Sequence, residues 1–180
     1  MRRSDRDAIR VGVVIAAVGL AAAVLYFTGW GAIARNVGVL AWRGNSMTAL
    51  AKRTPFTPPS GGVAEDRLVT YLAVCERIKP FGDRIDAWET AHRAPGRRTA
   101  FKVGAAGLVG AYLSEFSLAL QQQQMGPAEF AWIEDRMRQA GTAAAAAPES
   151  DRVLFAKYQD RLAATALGPQ ARDIALGFRQ

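Results

Sequence analysis

A chain of 180 residues is long enough for one folded domain and an additional segment, but too short for two full-sized domains. Half of its residues are hydrophobic, which excludes wholesale disorder. The net charge of +7 favours contact with anionic lipid headgroups or acidic polymers, but we expect no nucleic-acid partner, because the features described next place the domain outside the cytoplasm.

An uncharged apolar segment follows a short basic tail at the N-terminus. Residues 11–34 read VGVVIAAVGLAAAVLYFTGWGAIA, and residues 1–10 contain four arginines and two aspartates. As a helix, the apolar segment would be about 36 Å long, which is sufficient to cross a hydrocarbon core of about 30 Å. We therefore predict a single-pass transmembrane anchor surrounded by the lipid of the inner (cytoplasmic) membrane. The basic tail predicts a cytoplasmic N-terminus and a C-terminal part in the periplasm or outside the cell.

Two further hypotheses concern the same segment. Ala32, Ile33 and Ala34 form an A-x-A tripeptide after a basic region, so cleavage after Ala34 is an alternative to a retained signal anchor. The apolar stretch is longer than that of a usual signal peptide, which favours retention. Small residues also recur on one helix face at spacings that permit close helix packing, and they suggest a homodimer through the membrane helix. These residues are Gly12, Ala16, Gly19 and Ala23.

Residues 35–62 join the apolar segment to the remainder of the chain. Residues 36–43 are predicted to extend the membrane helix along the interface. Residues 44–62 contain three prolines and no periodic apolar face. Because proline favours an extended backbone, we predict a juxtamembrane segment followed by a Pro/Gly linker, which would hold the domain away from the bilayer.

The exported domain is predicted to span residues 63–180 and to be all-α. Apolar residues follow one another at steps of three and four from Leu68 to Trp88, which indicates one amphipathic helix with a kink at Pro80. A second, mostly apolar helix is predicted from about Arg98 to Gln122. Shorter helices are predicted from 127 to 140, from about 150, and near the C-terminus. The expected architecture is an antiparallel helical bundle of four to five helices.

Two stretches of this domain carry a resemblance. LVTYLAVCERIKPF (68–81), followed by QMGPAEFAWIEDRM (124–137), resembles uncharacterised helical envelope proteins and lipoproteins of bacteria. Those proteins pair a YLAV-x-E…P helix with a later helix that starts with SPAEFxWI. This chain has Gly126 where such segments often have a serine cap, and it lacks a lipidated cysteine. The resemblance implies an exported helical domain and no known activity.

Residues of the types that perform catalysis or bind metals are few. His92 and Cys75 are the only histidine and cysteine, and together they fall short of the ligands that a zinc site needs. Cys75 lies in the apolar stripe of the first helix, which predicts burial, with an intermolecular disulfide as the alternative. The acidic residues of the same helix alternate with bases, which is typical of a solvated, salt-bridged face. We predict no cofactor, no metal and no catalytic residue.

Two sets of residues are candidates for binding. Arg93, Arg97, Arg98 and Lys102 form a basic run at the first interhelical turn, which is a candidate patch for an anionic partner. A second set is predicted to form a cavity or the core, and it comprises Tyr71, Trp88, Tyr112, Glu115 and Phe116. Glu115 is the one carboxylate within the most apolar helix, so it points outward or pairs with an arginine, with a buried carboxylate of raised pKa as the alternative.

The favoured functional hypothesis is a membrane-anchored, non-enzymatic helical domain that binds or scaffolds another component of the cell envelope, with an envelope protein as the expected partner. One alternative is a helical bundle that binds an apolar or anionic envelope molecule. Another alternative is an enzyme that uses Glu115. The sequence alone leaves the partner, the ligand and the pathway open.

Overall fold

The computed structural model describes residues 46–92, 98–143 and 145–178, with the backbone alone for 98–104. Throughout these ranges every regular element is a helix, so the predicted all-α class is confirmed. A helical segment at 46–53 precedes five helices. These are α1 (Glu65–His92), α2 (Arg98–Gln122), α3 (Pro127–Thr142), α4 (Glu149–Thr165) and α5 (Pro169–Leu176). The predicted tail, membrane segment and small-residue face lie outside the described residues.

Helix α1 forms the centre of the domain and contacts the four helices that follow it. Its buried side chains include Leu68, Leu72 and Cys75, which recur at the predicted three- and four-residue spacing. The helix is continuous through Pro80, an exposed residue, so the two halves of the stripe belong to one helix. A Cβ atom at Gly82 would lie 2.8 Å from the Cβ of Ala171, and this glycine therefore permits the close approach of α5.

The directions of the helices follow from their side-chain contacts. Arg77 of α1 binds Glu115 of α2, while Gly82 lies near Tyr112, so α1 and α2 are antiparallel. By contrast, α4 runs in the same direction as α1, because residues taken in order from 63 to 79 contact residues taken in order from 151 to 166. These pairs are Val63 with Asp151, Glu65 with Lys157, Glu76 with Arg161 and Lys79 with Ala166. The predicted antiparallel arrangement thus describes α1 and α2 but not α1 and α4.

The segment predicted as a spacer is packed on the bundle over residues 46–63. Met47 is fully buried in the core, and the ring of Phe56 lies 5.5 Å from that of Trp132. At the end of the segment, the backbone N–H of Val63 donates to Asp151 at 2.8 Å. Met47 precedes Pro55 and Phe56 follows it, so apolar side chains on both sides of this proline attach the segment to the domain.

Close contact with this segment also explains the residue before α3. Gly126 is the N-cap of α3, and Pro127 occupies the first helical position as the sequence predicts. A Cβ atom at Gly126 would lie 2.8 Å from Oγ1 of Thr54 and 2.9 Å from its carbonyl oxygen. A serine cap would therefore displace the segment, which accounts for glycine at this position.

Crossing a bilayer requires a long and apolar helix. None of the helices in the described ranges is long and apolar enough to span a membrane. The predicted anchor at 11–34 belongs to the part of the chain outside those ranges.

Candidate functional site

A cavity of about 140 Å³ lies between α1, α3, α4 and α5 and opens partly to solvent. We call it the Tyr71 cavity. Its lining combines one aromatic hydroxyl, three charged groups and an apolar wall. The lining residues are Tyr71, Glu134, Met137, Arg138, Phe155, Leu162, Ala166, Leu167 and Arg172.

One wall of the Tyr71 cavity is polar, and it contains a hydrogen bond between α1 and α3. The hydroxyl of Tyr71 donates to Oε2 of Glu134. Tyr71 is almost fully buried, and its ring packs 4.9 Å from that of Phe130. Burial raises the pKa of Tyr71 well above its usual value, and the neighbouring Cys75 and Glu134 raise it further. The hydroxyl therefore keeps its proton at neutral pH and holds the glutamate in a fixed position.

Two arginines contribute positive charge to the cavity lining. Arg138 donates from Nη2 to Oδ1 of Asp135 at 3.0 Å, so its charge is partly neutralised. Arg172 is half-buried on α5, and its guanidinium has no hydrogen-bond or ion-pair partner among the residues that the structure describes. Arg172 is thus the guanidinium available to a bound group.

The apolar wall is formed mainly by α4 and the turn that follows it. Phe155, Leu162 and Leu167 are all partly buried and pack against the core. A Cβ atom at Gly141 would lie 2.7 Å from Cζ of Phe155, so glycine makes room for this ring beside α3. The wall is therefore held by the packing of α3 against α4.

The size of the cavity limits what it can hold. Engineered apolar cavities of about 150 Å³ bind benzene, whereas sites for drug-sized ligands have volumes of about 300–1,000 Å³. At about 140 Å³, the Tyr71 cavity suits a small molecule or one end of a larger one.

Two further buried polar atoms lie deeper in the bundle. The hydroxyl of Tyr112 and Oδ2 of Asp86 have no hydrogen-bond partner among the described residues. The other carboxylate oxygen of Asp86 accepts the backbone N–H of Gln170 at 3.0 Å and thereby caps α5. Burial raises the pKa of Tyr112 and that of Cys75, so both groups are protonated at neutral pH. Neither of these two groups is therefore ready to act as a nucleophile.

A larger and more open groove of about 380 Å³ lies between α1 and α4 on the surface, beside Pro80. Its charged lining residues neutralise one another. Lys79 binds Asp83 at 2.8 Å, and Glu76 binds Arg161 at 2.6 Å. All the charged side chains that line this groove are therefore paired with one another. The Tyr71 cavity differs, because one of its charged groups has no such partner among the described residues.

The structure separates the residues that the sequence predicted to form a cavity or core. Tyr71 lines the Tyr71 cavity, whereas Tyr112 and Phe116 are buried in the core with their rings 6.0 Å apart. Trp88 stacks on His92, with ring centroids at 4.3 Å. Glu115 is 29% exposed and binds Arg77 at 3.0 Å. The side chains of the basic run at 93–102 lie outside the described residues.

Glu134, Arg138 and Arg172 were not among the candidates from the sequence. Glu134 and Arg138 lie four residues apart on α3, beside the apolar Met137, which is a pattern shared by many surface helices. Arg172 belongs to α5, a helix of eight residues. Only the packing of α3, α4 and α5 against α1 brings these groups to Tyr71, so no local signal could have identified them.

Across residues 46–92, 98–143 and 145–178, no group of three or more His, Cys, Asp or Glu side chains is placed to hold a metal ion. Comparison of the chain with protein-family models, with curated proteins and with solved structures gives no match. A functional conclusion therefore has to come from the geometry.

Proposed function

We propose that this chain is a membrane-tethered, non-enzymatic helical domain that binds a small molecule of the cell envelope in the Tyr71 cavity. The observation that carries this proposal is the lining of the cavity. An apolar wall faces a fixed tyrosine–glutamate pair and the unpaired guanidinium of Arg172. Concave apolar sites with a few well-placed polar groups are the usual form of small-molecule sites.

Two features of the sequence support the tether and the compartment. Residues 11–34 are uncharged and long enough to cross a bilayer. The basic tail at 1–10 favours export of the remainder. The ligand would then come from the inner membrane or from the space outside it.

The electrostatics of the domain support binding rather than catalysis. Glu115, the strongest candidate for an acid or base, is held by Arg77, and Glu129 is held by Arg67 at 2.7 Å. Tyr71 and Cys75 both have raised pKa values and remain protonated at neutral pH. These groups stabilise the bundle, and an activated base or nucleophile would require a different environment.

Two of the three large exposed apolar side chains of the described residues lie on helices that barely pack together. The exposed large apolar side chains of the described residues are Val69, Leu118 and Val153, which lie on three different helices. Protein-binding sites commonly present a contiguous apolar patch. Since α2 and α4 make few or no contacts with each other, Leu118 and Val153 do not form such a patch.

Native mass spectrometry of the full-length chain, extracted from its own membranes, tests this proposal. We expect a retained small molecule in the wild-type protein. Ala166 lines the cavity and is exposed, so Ala166→Leu should fill the cavity without unfolding the domain. Ala163→Leu, at an exposed position on α4 outside the lining, is the matched control and should keep the ligand. Wild-type protein that never carries a small molecule, or equal retention by Ala166→Leu, would contradict the proposal.

A further inference from the structure

We propose that the molecule held in the Tyr71 cavity is an α-amino acid with an aliphatic side chain of three or four carbons. This inference rests on the proposed function, and it names the chemical class of the ligand. The charges of the lining, the atoms that are still free to bind and the volume of the cavity all favour this class of ligand.

The charges of the lining favour a zwitterion over a simple anion. Of the two arginines, Arg138 is engaged by Asp135 at 3.0 Å. The cavity therefore offers one carboxylate, from Glu134, and one available guanidinium, from Arg172. The carboxylate of Glu134 would repel an anion that carries no positive group. The guanidinium of Arg172 would repel a cation that carries no negative group. A zwitterion satisfies both groups.

The free atoms of these two side chains match the two ends of an amino acid. Oε2 of Glu134 accepts the Tyr71 hydroxyl, whereas Oε1 has no donor among the described residues. Oε1 can accept a hydrogen bond from an ammonium group. The planar guanidinium of Arg172 can donate two parallel N–H groups to a carboxylate, which is its preferred geometry. Both bonds are charge-assisted and are stronger than bonds between neutral groups.

The apolar wall and the volume specify the side chain. Met137, Phe155 and Leu162 offer carbon surface on one side of the cavity. A volume of about 140 Å³ is close to that of cavities that hold a six-carbon ring. A side chain of three or four carbons therefore fits, whereas an indole ring is too large and glycine leaves the wall uncovered.

Calorimetric titration of the full-length chain in detergent micelles provides the test, with leucine as the probe. 4-Methylpentanoate lacks the ammonium group, isopentylamine lacks the carboxylate, and glycine lacks the side chain. We expect leucine to bind at least tenfold more tightly than each of these three compounds, because each has lost one of the three interactions.

Two variants locate the binding groups. Glu134→Gln and Arg172→Gln should each weaken leucine binding by about 10- to 100-fold, the loss that follows from removing a hydrogen bond to a charged group. Glu149→Gln and Arg152→Gln, at exposed positions on α4, are the matched controls and should leave binding unchanged. Circular dichroism checks that each variant is folded. If Glu134→Gln unfolds, Arg172→Gln alone tests whether leucine binds in the Tyr71 cavity.

The outcomes separate this inference from the proposed function. If 4-methylpentanoate or isopentylamine binds as tightly as leucine, the amino-acid ligand is wrong while the cavity remains a binding site. If leucine does not bind but another small molecule is retained from membranes, the inference is also wrong and the proposed function stands. Leucine binding that Arg172→Gln leaves unaltered would place the amino acid outside the Tyr71 cavity and overturn the inference.

Discussion

Asp151 offers the sharpest test of how the domain is held together. It lies in the first turn of α4, its side chain is fully buried, and it accepts two hydrogen bonds from other parts of the chain. One comes from the backbone N–H of Val63 at 2.8 Å, and the other from Nε of Arg136 at 2.6 Å. Asp151→Ala removes the acceptor that joins α4 to α3 and to the segment before α1.

The expected loss of stability follows from these contacts. Breaking a buried ion pair by removing one partner costs about 3–5 kcal/mol, because the other charge is left uncompensated. Arg136 is 22% exposed and can regain part of its hydration, which lowers this cost. The N–H of Val63 also loses its acceptor, at about 1–3 kcal/mol. We therefore expect Asp151→Ala to lower the free energy of unfolding by about 3–4 kcal/mol, and Asp151→Asn by about 1–2 kcal/mol.

Equilibrium unfolding in urea, followed by tryptophan fluorescence, measures these differences. Trp132 reports on the site directly, because the guanidinium of Arg136 lies 5.7 Å from its ring centroid. Asp160→Ala, at an exposed position with no side-chain partner among the described residues, is the control and should change the free energy by less than about 0.5 kcal/mol. If Asp151→Ala were no more destabilising than Asp160→Ala, the reasoning on this buried carboxylate would be refuted.

Three further predictions concern the same domain. Because Cys75 is buried with a raised pKa, a thiol reagent should label it only in urea, and rapid labelling of the folded chain would contradict its burial. Ion pairs to bases on α4 lower the pKa values of Glu65 and Glu76, so these pairs contribute stability that is fully present above the ordinary glutamate value of 4.5 and is lost as the pH falls below it, through the lowered pKa values. Urea midpoints measured between pH 7 and 3 should therefore fall less steeply in a Glu65→Gln/Glu76→Gln double variant than in the wild type. Gly126→Ser should lower the thermal midpoint, because its Cβ would displace Thr54, and an unchanged or higher midpoint would show that capping outweighs this clash.

Much of the helical content could be predicted from local spacing. The stripe from Leu68 to Ile85 repeats at three and four residues, and α1 buries that face. Pro127 and Pro169 stand at the start of α3 and α5, where a missing N–H does no harm. Periodicity and proline positions are properties of neighbouring residues, so they can be identified without knowledge of the fold.

The packing of the helices and the candidate site could not be predicted in this way. The three prolines of 44–62 suggested a free spacer, yet the burial of Met47 depends on a surface that only the folded bundle provides. Similarly, Glu134 and Arg172 are unremarkable on their own helices and gain a role only when α3 and α5 pack beside Tyr71. The direction of α4 has the same origin, because it depends on which face of α1 remains open.

The central claim is that the Tyr71 cavity binds a small envelope molecule, and methyl NMR of the full-length chain tests it most directly. The small-molecule fraction of the cell's own envelope would be titrated into chain labelled at methionine and leucine methyl groups. The claim predicts that signals of Met137 and Leu162, which line the cavity, shift saturably, while that of the exposed Leu118 on α2 stays in place. In Ala166→Leu the shifts should disappear. Unmoved signals at Met137 and Leu162, or shifts that persist unaltered in Ala166→Leu, would contradict the claim.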